Sequence, residues 1–193
     1  MMVTVIYRTS VILLGAFGGK VPFVEVTMQG TMMNCPLTLV HILERAGKLF
    51  AKREVVSRLP DRSLHGCTFG DVYQRARALA AGLQKAGLER GDRVATLMWN
   101  HHAHLEAYLG IPACGGVMHT LNLRLAPGEI AYIARHGGGR FLIVDDVLLP
   151  IYEQIKASVE FERVFVVASA KIPLPPAVED YEDLLRAGGN GFC

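Results

Sequence analysis

Short apolar runs alternate with helical stripes along this chain. Within residues 91–146, three runs at 94–98, 117–120 and 141–144 have the length and apolar character of buried strands. Between the first two lies a helical pattern opened by Asn100, whose side chain is suited to cap a free amide of the first turn. Between the last two lies another, with Pro127 in its first turn, Glu129 near its positive end and Gly137 just past its last turn. Strands alternating with helices of this length predict parallel pairing through right-handed crossovers. The expected fold class is therefore α/β, a parallel sheet with helices on both faces.

Flanking segments supply further elements. Leu39, Ile42, Leu43, Ala46 and Phe50 recur at spacings of three and four and predict an amphipathic helix over 38–50, with Thr38 as its cap. Residues 55–58 form a strand candidate, Pro60-Asp61 a turn, and residues 64–68 its hairpin partner. The clearest helix spans 69–86, with an apolar stripe of Phe69, Val72, Ala76, Leu79, Leu83 and Ala86. Thr68 and Asp71 form a shortened capping box, Gly87 supplies a left-handed end, and Leu88 folds back on the last turn. Further on, Asp145 and Asp146 are expected to cap a helix running to about Ser158, with Pro150 in its first turn. Residues 163–168 predict another strand and 181–187 a short final helix.

Composition sets bounds on these readings. The chain of 193 residues is long enough for one domain with a real core. With 51% hydrophobic and 20% charged residues it has the composition of a globular protein. A net charge of +2 gives no sign of a nucleic-acid partner. Cys35, Cys67, Cys114 and Cys193 are scattered without metal-like spacing, as expected of reduced thiols in a cytoplasmic protein. The apolar run at 11–17 is too short to span a membrane and lacks a clear cleavage signal, so residues 1–30 are expected to be a weakly ordered extension.

Several clusters invite a chemical reading. Gly137, Gly138 and Gly139 resemble a phosphate loop in composition, but they end a helix and enter a strand. A phosphate cradle needs the reverse order, so a cap and turn is expected. His101, His102 and His104 precede Glu106 without an HExxH pattern, which favours helix-surface or buried hydrogen-bonded histidines over a metal site. Asp145 and Asp146 stand at the carboxyl end of a strand, where open parallel sheets bind ligands, although helix capping accounts for them. No GxSxG elbow, Walker loop or dinucleotide fingerprint occurs.

The stretch WNHHAHLEAYLGIPACGGVMHTLNLRLAPGEIAYI resembles the amino-terminal part of fatty-acyl-CoA synthetases, in the adenylate-forming, AMP-binding superfamily. The segments TFGDVYQRARALAAGLQKAGLERGDRVA and PLTLVHILERAGKLFAKREVVSR fit the same pattern, so the resemblance runs from about Gly30 to about Ala187. It implies a partial parallel-sheet subdomain as in the amino-terminal domain of these enzymes, over residues 31–187, followed by a disordered tail at 188–193. The family activates a carboxylic acid with ATP and Mg as an acyl-adenylate and passes the acyl group to CoA.

The family's Ser/Thr/Gly-rich phosphate loop ending in Pro-Lys-Gly, its ribose-binding acid and its carboxyl-terminal lysine have no counterpart in this sequence. The expectation is a truncated ligase fragment that is inactive alone, with no catalytic or cofactor-binding residue of its own. Trp99, Asn100, His104 and His119 are its pocket-wall candidates. Apolar faces at 117–125 and 163–168 are expected to lie bare, leading to self-association or to docking of a missing downstream ligase half. Two alternatives stand beside this reading: a flavodoxin-like binding module without catalysis, and one subunit of a split ligase.

Overall fold

The computed structural model describes residues 36–170 and 172–189. The expected extension at 1–30 and the last residues of the expected tail, 190–193, lie outside the described residues. Among the described residues the first element is helix α1 (Leu39–Leu49), followed by an antiparallel hairpin of β1 (Glu54–Arg58) and β2 (Leu64–Thr68). Then come α2 (Phe69–Lys85), β3 (Arg93–Leu97), α3 (His102–Ala113), β4 (Val117–Thr120), α4 (Pro127–Gly137) and β5 (Gly139–Asp145). A 3-10 turn (Asp146–Leu148), α5 (Leu149–Ile155), β6 (Arg163–Val167), β7 (Glu179–Asp180) and α6 (Tyr181–Gly188) follow.

Strands β3 to β7 form one parallel sheet in the order β4-β3-β5-β6-β7. Its physical basis is visible in β5, where Phe141, Leu142, Ile143 and Val144 are all fully buried. Alternate residues of a strand point to opposite faces, so a run buried throughout needs cover on both. Val94, Phe141, Ile143 and Phe165 face α2, α3 and α6. Ala95, Leu142, Val144 and Val166 face α4 and α5. Helix α1 and the hairpin pack outside α2 and α3 through a smaller cluster of Leu43, Val72, Ala76 and Leu109.

Helix α2 follows its sequence signals closely. Thr68 Oγ1 accepts the Asp71 amide at 3.1 Å while the Asp71 carboxylate accepts the Thr68 amide at 2.8 Å, which closes the capping box. At the other end Gly87 takes a left-handed φ of 97°, and the Leu88 amide reaches back to the Leu83 carbonyl at 2.9 Å. Val72, Leu79 and Leu83 are buried, each worth roughly 1.5–3 kcal/mol before entropy losses.

Other expectations are corrected. Of the five apolar positions of α1, only Leu43 is buried, and Thr38 makes no side-chain cap bond. The α4 stop is Gly138, with φ 61°, rather than Gly137, which remains helical. The α5 helix ends at Ile155, with a turn over 156–158, and neither Asp145 nor Asp146 acts as its cap. The strand at 163–167 is buried on both faces, because α6 covers one side and α5 the other, so it presents no bare apolar face. On the 117–125 stretch Val117 is exposed but Leu121 is buried.

Helix α3 approaches α2 so closely that a Cβ on Gly110 would sit 2.7 Å from the Ala76 carbonyl oxygen. Gly110→Ala is therefore expected to lower unfolding stability by about 1–3 kcal/mol, the usual cost of overpacking. Gly128→Ala, on the exposed first turn of α4 with nothing within 4 Å, should be neutral or stabilising by up to about 1 kcal/mol. Urea denaturation of the two variants checks the difference in sign.

Candidate functional site

The chain leaves β3 for β4 on one side and later returns to lay β5 on the other. Strand order thus reverses between β3 and β5, and a crevice opens beyond their carboxyl ends at such a switch point. Trp99, Asn100 and His101 follow β3 there, and Asp145 ends β5.

Asp145 organises this end of the sheet. It is 1% exposed, and its two oxygens accept the Trp99 amide at 2.7 Å and bond His101 Nε2 at 2.9 Å. His101 is the true N-cap of α3: its Nδ1 accepts the Ala103 amide at 3.2 Å. An accepting Nδ1 places the proton of a neutral imidazole on Nε2, facing Asp145. Asn100, the cap expected from sequence, is exposed instead. The neighbouring Asp146 is also fully buried and accepts the Val147 and Ala170 amides and the Ser169 hydroxyl.

The first turn of α3 lies against the hairpin. Ser57 Oγ, buried in β1, accepts the His102 amide at 2.9 Å, and the His102 ring tilts onto His65 of β2 with centroids 4.2 Å apart. Burial, followed by the neighbouring His65 and His101, lowers the His102 pKa to about 4. His104, in the first turn of the helix, places Nε2 3.2 Å from Thr96 Oγ1 of β3, and burial lowers its pKa too.

Between β1 and α3 runs a cleft of about 330 Å3, lined by Val55, Val56, Ser57, Asn100, His101, His104, Leu105 and Tyr108. This brings two of the four pocket-wall candidates, Asn100 and His104, together. Trp99 stands beside them in the chain, 48% exposed. His119 is elsewhere: it lies on edge strand β4 and packs against Gly137 of α4, on the opposite face of the sheet from α3. Both His101 nitrogens are already engaged and no carboxylate or cation lines the cleft. The arrangement is therefore suited to holding an apolar or uncharged group.

A second polar cluster, which the sequence pattern does not announce, locks the helices behind the cleft. Glu106 of α3 has no exposed surface. Its carboxylate receives Arg75 Nε at 2.6 Å and the buried Tyr181 hydroxyl at 2.9 Å. Arg75 then forks to Glu182 at 2.5 and 3.0 Å. Burial raises the Glu106 pKa against the pull of Arg75, and burial with the Glu106 charge beside it raises Tyr181 further. Among the described residues no group of three or more His, Cys, Asp or Glu is placed to hold a metal ion.

A parallel sheet with covered faces and a switch-point crevice defines an α/β ligand-binding fold, and sequence comparison says which one. The AMP-binding enzyme family profile matches residues 43–184. The chain belongs to the AMP-binding enzyme family. It is 49% identical over 143 residues to the long-chain-fatty-acid–CoA ligase of Thermus thermophilus, covering 74% of this chain and 26% of that protein. It is 35% identical over 172 residues to the medium-chain-fatty-acid–CoA ligase of Ectopseudomonas oleovorans, covering 86% and 31%. The crystal structure of the anthranilate CoA ligase AuaEII with anthranoyl-AMP superposes with a TM-score of 0.72 at 25% identity, covering 82% of this chain and 30% of that one. The chain thus spans about a quarter to a third of the relatives it matches.

Two measurements test the site. Asp145→Ala leaves the Trp99 amide and the His101 imidazole without their acceptor and should cost about 2 kcal/mol or more of unfolding stability. The depressed His102 pKa means that the unfolded chain binds a proton there before the folded one does. Stability from this group is present above pH 6.5 and declines as pH falls toward 4, with His104 acting in the same sense and Glu106 in the opposite one. His102→Gln should therefore make the slope of unfolding midpoint against pH shallower across that window.

Proposed function

We propose that residues 43–184 serve as the amino-terminal region of an ATP-dependent acyl-CoA ligase acting on a fatty acid, and that this chain alone does not complete the reaction. The carrying observation is the match to fatty-acid–CoA ligases of both long- and medium-chain type, over three quarters or so of this chain but under a third of theirs. The whole reaction joins a carboxylate to the adenylyl group of ATP with release of pyrophosphate, after which the CoA thiolate displaces AMP to form the thioester. ATP, Mg and CoA are its cofactors. This chain has no loop ending in Pro-Lys-Gly to cradle phosphate oxygens, and no cation lines its cleft.

The role assigned to this chain is structural and selective. Asn100 and His104 form a cleft wall, with Trp99 next to it, against which the acyl group of the substrate lies. Asp145 and His101 fix that wall to the sheet. The rest of the machinery comes from further ligase sequence, joined to this chain or supplied as a separate subunit in the cytoplasm.

A chimera tests this. Residues 43–184 are exchanged for the matching stretch of the Thermus thermophilus ligase, and thioester formation is followed with long-chain acids. The chimera is expected to form acyl-CoA, whereas the present chain alone shows no acid-dependent exchange of pyrophosphate into ATP. A folded but inactive chimera, or reproducible exchange by the chain alone, would overturn the proposal.

A further inference from the structure

The apolar stripe of α1 is only partly packed: Leu43 is buried against Val72, Ala76 and Leu109, while its large apolar neighbours meet water. A surface helix normally turns its apolar side inward. Here Leu39, Ile42 and Leu49 are 43%, 58% and 65% exposed, and Phe50, just past the helix, is 43% exposed. The stripe is bordered by positive charge. Residues 37–64 contain six Lys or Arg against three Asp or Glu, so this stretch alone carries +3 while the whole chain carries +2. The two features meet at the end of α1, where Lys48, Leu49, Phe50, Lys52 and Arg53 line an open groove of about 520 Å3. Arg45 lies 5.6 Å from the Phe50 ring centre, which keeps a cation beside the apolar surface.

We propose that α1 and the groove at its end form an interfacial docking surface for an anionic phospholipid bilayer. Leu39, Ile42, Leu49 and Phe50 enter the boundary between headgroups and acyl chains, and Lys52 and Arg53 meet lipid phosphates. An amphipathic helix with cations flanking a solvent-facing apolar stripe binds a membrane surface through both terms together. Charge complementarity selects the bilayer: a second copy of this chain would bring the same +3 against itself. Among the described residues no helix is long and apolar enough to cross a membrane, so the contact is with the surface. The inference goes beyond the ligase reading and needs no activity to be tested.

The test is flotation of the full chain with vesicles of phosphatidylcholine, with and without phosphatidylglycerol. Binding is expected only where phosphatidylglycerol is present and should weaken as salt rises. Two variant pairs on exposed side chains, Lys52→Gln with Arg53→Gln and Ile42→Ser with Leu49→Ser, are first shown by circular dichroism to be folded. Each pair should lower the vesicle partition coefficient about tenfold or more. Equal binding to both vesicle types, variants that bind like the parent, or displacement by inorganic phosphate alone would overturn the proposal. So would a concentration-dependent dimer that fails to bind vesicles and that Ile42→Ser with Leu49→Ser dissolves, since a second copy would then be the occupant.

Discussion

Burial of β5 on both faces is the constraint from which the rest of the structure follows. Phe141 and Ile143 on one face, and Leu142 and Val144 on the other, have no contact with water. Each face must be sealed by helices, and parallel neighbours require long crossovers that supply those helices. The crossover through α3 lands on one face and the crossover through α4 on the other. That division creates the reversal of strand order between β3 and β5. The crevice at their ends is thus a consequence of how a doubly covered sheet is wound.

Asp145 converts this architecture into a defined site edge. As the last residue of the most buried strand it cannot be solvated, so its charge is satisfied by the chain leaving the neighbouring strand. The two strand ends are thereby tied, and the same bond orients the histidine that starts α3. Glu106 has the corresponding role further along the helix, where Arg75 and Tyr181 draw α2 and α6 to α3. Removing one partner from such a buried set leaves a charge or a donor stranded, which is why these groups govern geometry more than they add net stability.

Local features are legible in the sequence, and long-range ones are hidden. The capping box at Thr68 and Asp71, the left-handed Gly87 and the uninterrupted run of β5 depend on neighbours within a few residues, and each stands where its pattern places it. The parallel sheet follows from the order of these elements. Asn100 reads as the cap of α3 because His101 becomes the better cap only when Asp145, 44 residues away, fixes its ring. The cluster of Arg75, Glu106, Tyr181 and Glu182 joins positions up to 107 residues apart and has no periodicity to betray it. Strand β7 is two residues long, too short for an alternating pattern. The stripe of α1 is amphipathic as its spacing predicts, but periodicity does not say which side of a stripe meets water.

The hairpin that walls the cleft is a two-stranded sheet of its own, with no backbone ladder to the five-stranded one. It is fastened to the start of α3 by a hydroxyl–amide bond at Ser57 and a ring contact at His65. Val55 and Cys67 add apolar packing on Leu43, Val72, Ala76 and Leu109, and the Phe69 amide bonds the Arg53 carbonyl at 2.9 Å where β2 enters α2. The cleft thus lies between two different supports, with one wall on the hairpin and the other on α3, which packs directly on the sheet. A substitution on the cleft side of the hairpin can therefore reshape one wall without altering a residue of the sheet.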